Sequence, residues 1–411
     1  SIITGSSCFE SYCFVLTMGC AQPGTVAPPV NAAALVIPTI PGWDGQIFPI
    51  IAVPSMLTMQ GGLGSISCSI QPIIDAVASP QTSGAGYRLT AAFLPVHQSG
   101  KRKGEPMDVT VAGLMSRNAR VMLLFQLDPH ESGAMETMWY QAPLTVSMAG
   151  LTGAAATGYE QIYGQLTAAG QQGYPLSVII DQPDMRCNGL FSRETNVNLV
   201  CQRRQGKPEA KEYQVVNCPI QIAGQIGGTM AAIPNLMSTL EAYCAQGYKV
   251  ASIYNPPCIR QTSFGSAQTA CHIVFEKTSK RYMVCCFDVP FRVSAGLGSM
   301  VVDHQQYMSV ISKFTQSGWE LAAFIDMPDG AVQGLGTMVS TLKLIFQAAT
   351  SGAPAPAAAS NAAPVEVEVA VPPDAVPGTE IQVKHPTTGA IFQAKVPEGV
   401  SPGQTFKMQL G

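Results

Sequence analysis

One pairing, a glycine followed by an aromatic residue, returns four times in the same setting: Gly86-Tyr87, Gly173-Tyr174, Gly247-Tyr248 and Gly318-Trp319. The surrounding segments are alike. NLMSTLEAYCAQGYKVASIY (235–254) is echoed by MSVISKFTQSGWELAAFI (308–325), by EQIYGQLTAAGQQGYPLSVII (160–180), and more loosely by QPIIDAVASPQTSGAGYRLTAAFL (71–94). A period of roughly 70 to 90 positions is too long for a solenoid repeat and fits a small α+β module.

Before each pair the apolar residues follow a helical period: Ile233, Leu236, Met237, Leu240 and Cys244 in the third copy, and Tyr307, Val310, Ile311 and Phe314 in the fourth. The glycine falls where a helix stops in the left-handed conformation that glycine adopts cheaply. A short strand then begins at the aromatic and alternates, as in Tyr248, Val250, Ser252 and Tyr254. Upstream, a strand opens near a proline in PLTVSM (Pro143), PIQIAG (Pro219), PFRVSA (Pro290) and, more weakly, FPIIAV (Pro49). Downstream, after a Gly/Ser/Pro-rich loop, a closing strand reads VMLLFQ (121–126), VNLVCQ (197–202), HIVFEK (272–277) and LKLIFQ (342–347).

The predicted fold is therefore α+β: four strand-helix-strand-strand modules with antiparallel sheets, at 43–130, 131–210, 211–280 and 281–347. Tyr87, Tyr174, Tyr248 and Trp319 hold equivalent positions in it. One helix covers one face of each sheet and leaves the other bare, so the modules are expected to pack in pairs, sheet against sheet or edge to edge, giving one or two bodies. Residues 1–42 read as a disordered tail. The Ala/Pro/Ser tract at 348–363 cannot bury enough surface to fold and reads as a linker. Beyond it, VAVPPDAVPGTEIQVKHP and AKVPEGVSPGQTFKMQL repeat one pattern, which predicts a small all-β module of two related hairpins at 364–411.

Only 12% of residues are charged, the net charge is −3 and the pI is near 6.0, so general nucleic-acid binding is not expected. The twelve cysteines show no C-x-x-C or zinc-like spacing, and they read as buried thiols in a reducing compartment. Pro38, Pro41, Pro49 and Pro54 interrupt the most hydrophobic part, so no membrane-spanning segment is expected.

The ordered set YQVVNCPIQI (213–222), LEAYCAQGYKVASIYNPP (240–257), HIVFEK, KFTQSGWELAAFI (313–325) and LKLIFQ resembles the raftlin family, closely over about 212–347 and more loosely over 43–211. Raftlins are lipidated proteins of the cytoplasmic face of lipid rafts. The resemblance gives meaning to MGCAQPG (18–24), because family members open on Met-Gly-Cys, with the glycine myristoylated and the cysteine palmitoylated. Those roles map onto Gly19 and Cys20 if translation starts at Met18. The sequence departs from the family at Pro23, where the myristoylation pattern has Ser or Thr, and in lacking the long charged C-terminal tail. The resemblance implies a non-enzymatic scaffold bound to membrane lipids through its acyl chains, at plasma or endosomal membranes. The alternative is an unlipidated multi-module protein that binds a ligand in an inter-module groove.

No catalytic constellation, metal cluster or cofactor motif is legible. His97, His130, His272, His304 and His385 are isolated and read as satisfied structural or surface histidines. DQPD (181–184) and DMPD (326–329) read as turn chemistry. GQIGG (224–228), GLGS (296–299) and QGLG (333–336) lack the Lys-Ser/Thr ending of a phosphate loop and read as mobile connections. The basic clusters KRK (101–103), QRRQGK (202–207) and KTSKR (277–281) read as solvated edges that can add to anionic-lipid attraction.

Overall fold

The computed structural model describes residues 35–350 except 63–64, 94–108, 114–115, 149–152, 183, 188–191, 207, 226–227, 257–258, 264–265, 297–298, 303 and 333–336. It also describes residues 365–370, 380–384, 391–395 and 404–410. Two compact units result, 1–354 and 355–411. Gly19 and Cys20 lie outside the described residues.

The first unit contains the four repeats. Module 1 has β1 (Ile50–Gly62), β2 (Ser65–Cys68), α1 (Gln71–Ala78), β3 (Arg88–Phe93), β4 (Val109–Gly113) and β5 (Ser116–Gln126). Module 2 has β6 (Met135–Met148), β7 (Gly153–Thr157), α2 (Tyr159–Gln171), β8 (Leu176–Asp181), β9 (Met185–Cys187) and β10 (Ser192–Arg204). Module 3 has β11 (Tyr213–Gln225), β12 (Gly228–Ala232), α3 (Leu236–Ala245), β13 (Tyr248–Tyr254), β14 (Ile259–Ser263) and β15 (Ser266–Lys277). Module 4 has β16 (Arg281–Gly296), β17 (Ser299–Val302), α4 (His304–Gln316), β18 (Glu320–Asp326), β19 (Gly330–Val332) and β20 (Thr337–Thr350).

The repeat is thus richer in strands than the predicted unit of three. Each first strand pairs antiparallel with a short hairpin partner and with the closing strand, and the closing strand also carries the third and fourth strands. The same pattern holds in modules 3 and 4. The stretches GQIGG and GLGS, expected as mobile connections, join the paired strands β11 and β12 and the paired strands β16 and β17. Short runs such as GAAAT and GTMAA are mostly Ala and Gly, with one threonine each, so their strand state comes from pairing more than from propensity. The predicted strand openings also shift: Pro143, Pro219 and Pro290 lie inside long first strands, ahead of the hairpin partner. That edge needs no N–H donor there, so proline is tolerated.

All four glycines follow a helix end in the left-handed region, with φ of 81°, 76°, 83° and 83° at Gly86, Gly173, Gly247 and Gly318, and in module 1 that helix is the short π-helical turn Pro80–Gly84 beyond α1. The N–H groups of Tyr87, Tyr174 and Trp319 bond back to the carbonyls of Thr82, Ala169 and Phe314, which closes the helix ends as a Schellman motif does. Only Tyr248 opens its strand as expected, since β3, β8 and β18 begin one or two residues after the aromatic, at Arg88, Leu176 and Glu320; the four strands are alike in another respect. Each has one bulge, four residues past the glycine, at Thr90, Ser177, Ala251 and Ala322.

The modules close into a ring instead of packing in pairs. The hairpin strand of each module pairs with the fourth strand of the next: β2 with β9, β7 with β14, β12 with β19, and β17 back with β4. The third strands β3, β8, β13 and β18 are neighbours in the same cyclic order. Each bare sheet face is covered by the helix-side core of the preceding module. Ala91, Phe93 and Leu124 of module 1 enter the cluster of Val310, Phe314, Trp319 and Phe346. Val178, Ile180 and Val200 join that of module 1, Tyr254 and Val274 that of module 2, and Ile325 and Ile345 that of module 3. A sheet buried on both faces in this way needs no pairwise partner.

The expected disordered tail is corrected over its last residues. Ile40 is buried with Trp319, the Trp319 indole N–H donates to Pro38 O at 3.1 Å, and Lys313 Nζ donates to Leu35 O. Phe48 N donates to Thr315 O at 3.0 Å, and in the equivalent place Lys211 N donates to Gly170 O at 2.9 Å. The segment before β1 therefore docks on module 4 as the internal linker before β11 docks on module 2.

The second unit corrects the expectation of two hairpins. β21 (Val365–Ala370) pairs with β24 (Thr405–Leu410), and β22 (Glu380–Lys384) with β23 (Ile391–Lys395), so strands pair across the sequence repeat, one pair nested in the other.

Candidate functional site: a polar cleft on the ring axis

Towards its end each closing strand carries a buried apolar residue followed by a polar one: Phe125-Gln126, Cys201-Gln202, Phe275-Glu276 and Phe346-Gln347. The apolar four are all fully buried. The glutamines reach across to the amide just ahead of a neighbouring module's bulge. Gln202 Oε1 accepts Leu89 N at 2.8 Å, Gln126 Oε1 accepts Leu321 N at 3.1 Å, and Gln347 Oε1 accepts Val250 N at 2.9 Å. Running 2 to 1, 1 to 4 and 4 to 3, these bonds go round the axis and satisfy amides that would otherwise be buried without a partner.

At the fourth junction the pattern breaks. Glu276 stands where the other modules have glutamine, and the Leu176 N–H is taken by the Tyr213 hydroxyl at 2.7 Å. Glu276 is fully buried, and neither of its oxygens accepts a hydrogen bond. The ammonium groups of Lys249 and Lys211 lie 3.3 and 3.7 Å from its Oε1. Lys211 also pairs with Glu209 at 2.7 Å.

These residues line a cleft of about 280 Å³ between the four modules, together with Arg88, Thr90, Ser177, Tyr282 and Glu320. Arg88 Nε donates to Ser177 Oγ at 3.0 Å, and its outer nitrogen binds Leu176 O. Burial raises the Glu320 carboxyl above its usual range, against the pull of Lys249 and Arg88, and Gln347 Nε2 donates to it at 3.1 Å. Burial likewise raises the Tyr213 and Tyr282 phenols, which keeps them protonated.

Two members of the basic cluster at 202–207 serve this cleft instead of a free edge. Arg203 pairs with Glu136 at 2.7 Å and covers the Tyr174 ring at 4.0 Å, and Arg204 pairs with Glu131 at 2.9 Å. Lys277 lies over Tyr248, 4.2 Å from the ring centre. Three of the repeat-defining aromatics thus have different environments, with Trp319 buried beneath the N-terminal segment.

His272 is held in place at the module 2–3 interface. Its Nδ1 is hydrogen-bonded to the Tyr163 hydroxyl, Tyr159 meets it edge-on at 4.8 Å, and burial lowers its basicity. Next to it, the Tyr254 hydroxyl donates to Asp181 at 2.9 Å. In DQPD and DMPD the second aspartates tie down the adjoining strand: Asp184 accepts Asn196 N at 3.0 Å, and Asp329 accepts Thr341 N at 2.8 Å. Seven cysteines of the described residues are free, five of them buried. Among the described residues no group of three or more His, Cys, Asp and Glu side chains is arranged to hold a metal ion, and no helix is long and apolar enough to cross a membrane.

Sequence reasoning missed Glu276, Lys249, Lys211 and Tyr213 as a group. The available signal was the lone Glu among three Gln in the aligned closing strands. No family model matches this chain, and no curated protein or solved structure matches it either.

Proposed function

We propose that this chain is a non-enzymatic binding scaffold, with four modules closed around an axial cleft that receives a small polar ligand or the tip of a partner. The observation that carries this reading is the break in symmetry at Glu276. Three modules use the position for a structural amide bond, while the fourth sets a buried carboxylate against two ammonium groups of the cleft wall. A cavity with convergent polar groups is the default candidate for a binding site. The cations and carboxylates of this cleft are mutually paired or buried, an arrangement suited to recognition by hydrogen bonds.

The acyl anchor belongs to the same proposal. With Gly19 and Cys20 acylated, the ring would sit at the cytoplasmic face of a membrane and organise raft lipids or hold signalling and trafficking partners, as the raftlin-like segments imply. The Met-Gly-Cys stretch and the ordered set of segments support it. Hydrogen–deuterium exchange on the full chain tests the cleft, using a polyol, an α-amino acid and inorganic phosphate as probes. Added protection confined to the segments around Arg88, Lys249 and Glu276 is the expected result, and unchanged exchange there with every probe would overturn the reading.

A further inference from the structure

We propose that Cys218 and Cys271 form a redox-active dithiol that a peroxide closes to a disulfide across β11 and β15. Neither residue lines the axial cleft. The two stand directly opposite each other in the antiparallel register of these strands, and both belong to the core cluster that α3 covers. Lys277 N donates to Glu212 O one step beyond the same unbroken register, which makes every second pair from there, Cys218 with Cys271 included, a hydrogen-bonded pair. Such pairs hold their Cα atoms about 5.5 Å apart. A disulfide spans about 4.4–6.8 Å between Cα atoms, so the strands already stand at bridging distance.

The two thiols also touch. Cys271 S–H donates to Cys218 Sγ, and this bond, with a smaller pull from the Thr239 hydroxyl of α3, holds the Cys218 thiol below its usual range against burial. The same bond and burial push Cys271 up, so Cys271 keeps its proton. At Cys68, Cys201, Cys244, Cys285 and Cys286 burial pushes the thiol up. The thiolate is the nucleophilic form, so among the described cysteines Cys218 is the one prepared to attack. Both residues are buried. However, β12 pairs with β11 only from Gln221 onward, so among the described residues the strand is paired on one side alone at Cys218. Local opening of that edge admits an oxidant as small as hydrogen peroxide.

Cys218 gives up its proton and its sulfur attacks one peroxide oxygen. The O–O bond breaks, and the departing hydroxide takes that proton to become water. Cys218 is then a sulfenic acid. The Cys271 sulfur attacks it, the S–S bond forms as the S–O bond breaks, and the second hydroxide leaves with the Cys271 proton as water. Two thiols are oxidised to one disulfide, and one hydrogen peroxide is reduced to two waters. A thiol such as dithiothreitol reverses the step by exchange, becoming oxidised itself.

Purified full-length chain is treated with hydrogen peroxide in the folded state and, separately, in urea. Remaining thiols are then alkylated, and crosslinked peptides are mapped by mass spectrometry. The expected result is a Cys218–Cys271 crosslink in the folded chain, with the loss of two hydrogens, that disappears with dithiothreitol. Cys271→Ser keeps a donor beside Cys218 and removes the second sulfur, so peroxide should leave Cys218 as a sulfenic acid that dimedone captures. The wild-type crosslink map decides the pairing even where this variant folds poorly. Recovery of both cysteines as free thiols from the peroxide-treated folded chain overturns the proposal, and so does a crosslink that forms only in urea. A folded Cys271→Ser chain whose Cys218 takes no dimedone overturns the assignment of the attacking sulfur.

Discussion

The side-chain carbonyl of Gln202 accepts the backbone N–H of Leu89 at 2.8 Å, joining two residues 113 positions apart in different modules. Its amide nitrogen is occupied too, donating to Thr137 Oγ1 at 3.1 Å. Gln202→Ala removes both bonds and leaves the Leu89 N–H buried without a partner, at a cost of about 1–3 kcal/mol. A lower urea midpoint with an unchanged slope is the expected result. An unchanged midpoint would mean that the cross-module amide bonds do not hold the ring.

Position 276 permits a sharper version of this test. Tyr213→Phe removes the hydroxyl that accepts the Leu176 N–H and should cost about 1–3 kcal/mol. Combined with Glu276→Gln it should cost less, because a glutamine there can reach that amide as its three sisters reach theirs. The double-mutant cycle should show a coupling of about 0.5 kcal/mol or more in the rescuing direction. Simple additivity would show that position 276 is not energetically equivalent to Gln126, Gln202 and Gln347.

These contacts also mark how far the sequence could be read. The Gly-aromatic pairs announced four modules because a helix end in the left-handed conformation and a strand opening are local events, written within about six residues. Phe125, Cys201, Phe275 and Phe346 were legible as closing positions because alternation fixes which face a residue takes. Ring closure was not legible. It depends on Ser299 and Met300 of β17 pairing with Thr110 and Val109 of β4, and on Ile40 covering Trp319, contacts whose partners lie far apart and carry no shared pattern. The cleft was hidden for the same reason: Lys249 and Glu276 face each other across β13 and β15 of one module, but Arg88, Tyr282 and Glu320 join them only when the modules meet on the axis.

Phe346 shows what the closing positions contribute. Its ring stacks on Phe314 with centroids 4.1 Å apart, and it is fully buried in the cluster shared with module 1. Phe346→Ala should cost about 3–5 kcal/mol by lost burial and cavity formation. Calorimetry or urea unfolding checks the value, and a change below about 1 kcal/mol would contradict the packing described.

Two carboxyls give the stability a definite pH dependence. Burial pushes Asp181 up to about 7 from 3.8, partly countered by the Tyr254 hydroxyl, and burial with the nearby Asp329 charge pushes Asp326 up to about 7. The folded protein keeps these protons where the unfolded chain has released them. Their stabilising effect is therefore full below about pH 3.8 and is lost as pH rises through 7. Asp181→Asn, whose side-chain carbonyl can still accept from Tyr254, should flatten the fall between pH 5 and 7 by about 1 kcal/mol or more. Unfolding curves at several pH values decide it, and parallel wild-type and variant profiles would count against protonation at this site.

The anchor makes the last prediction, and it rests on hydrocarbon burial. A single myristoyl chain binds bilayers only weakly, at about 10⁴ M⁻¹, so stable attachment requires the second chain. If translation begins at Met18, Gly19 should carry myristate and Cys20 palmitate, and the protein should pellet with membranes. Cys20→Ser leaves one chain and should make the association weak and reversible. Gly19→Ala removes the amine acceptor and, by preventing first docking, should also block palmitoylation. High salt should not release the unmodified sequence, since burial of acyl chains is not screened as basic-cluster attraction is. Fractionation of the Met18-initiated protein and both variants is the measurement. Equal recovery of all three in the soluble fraction would remove the anchor and leave the axial cleft to act without one.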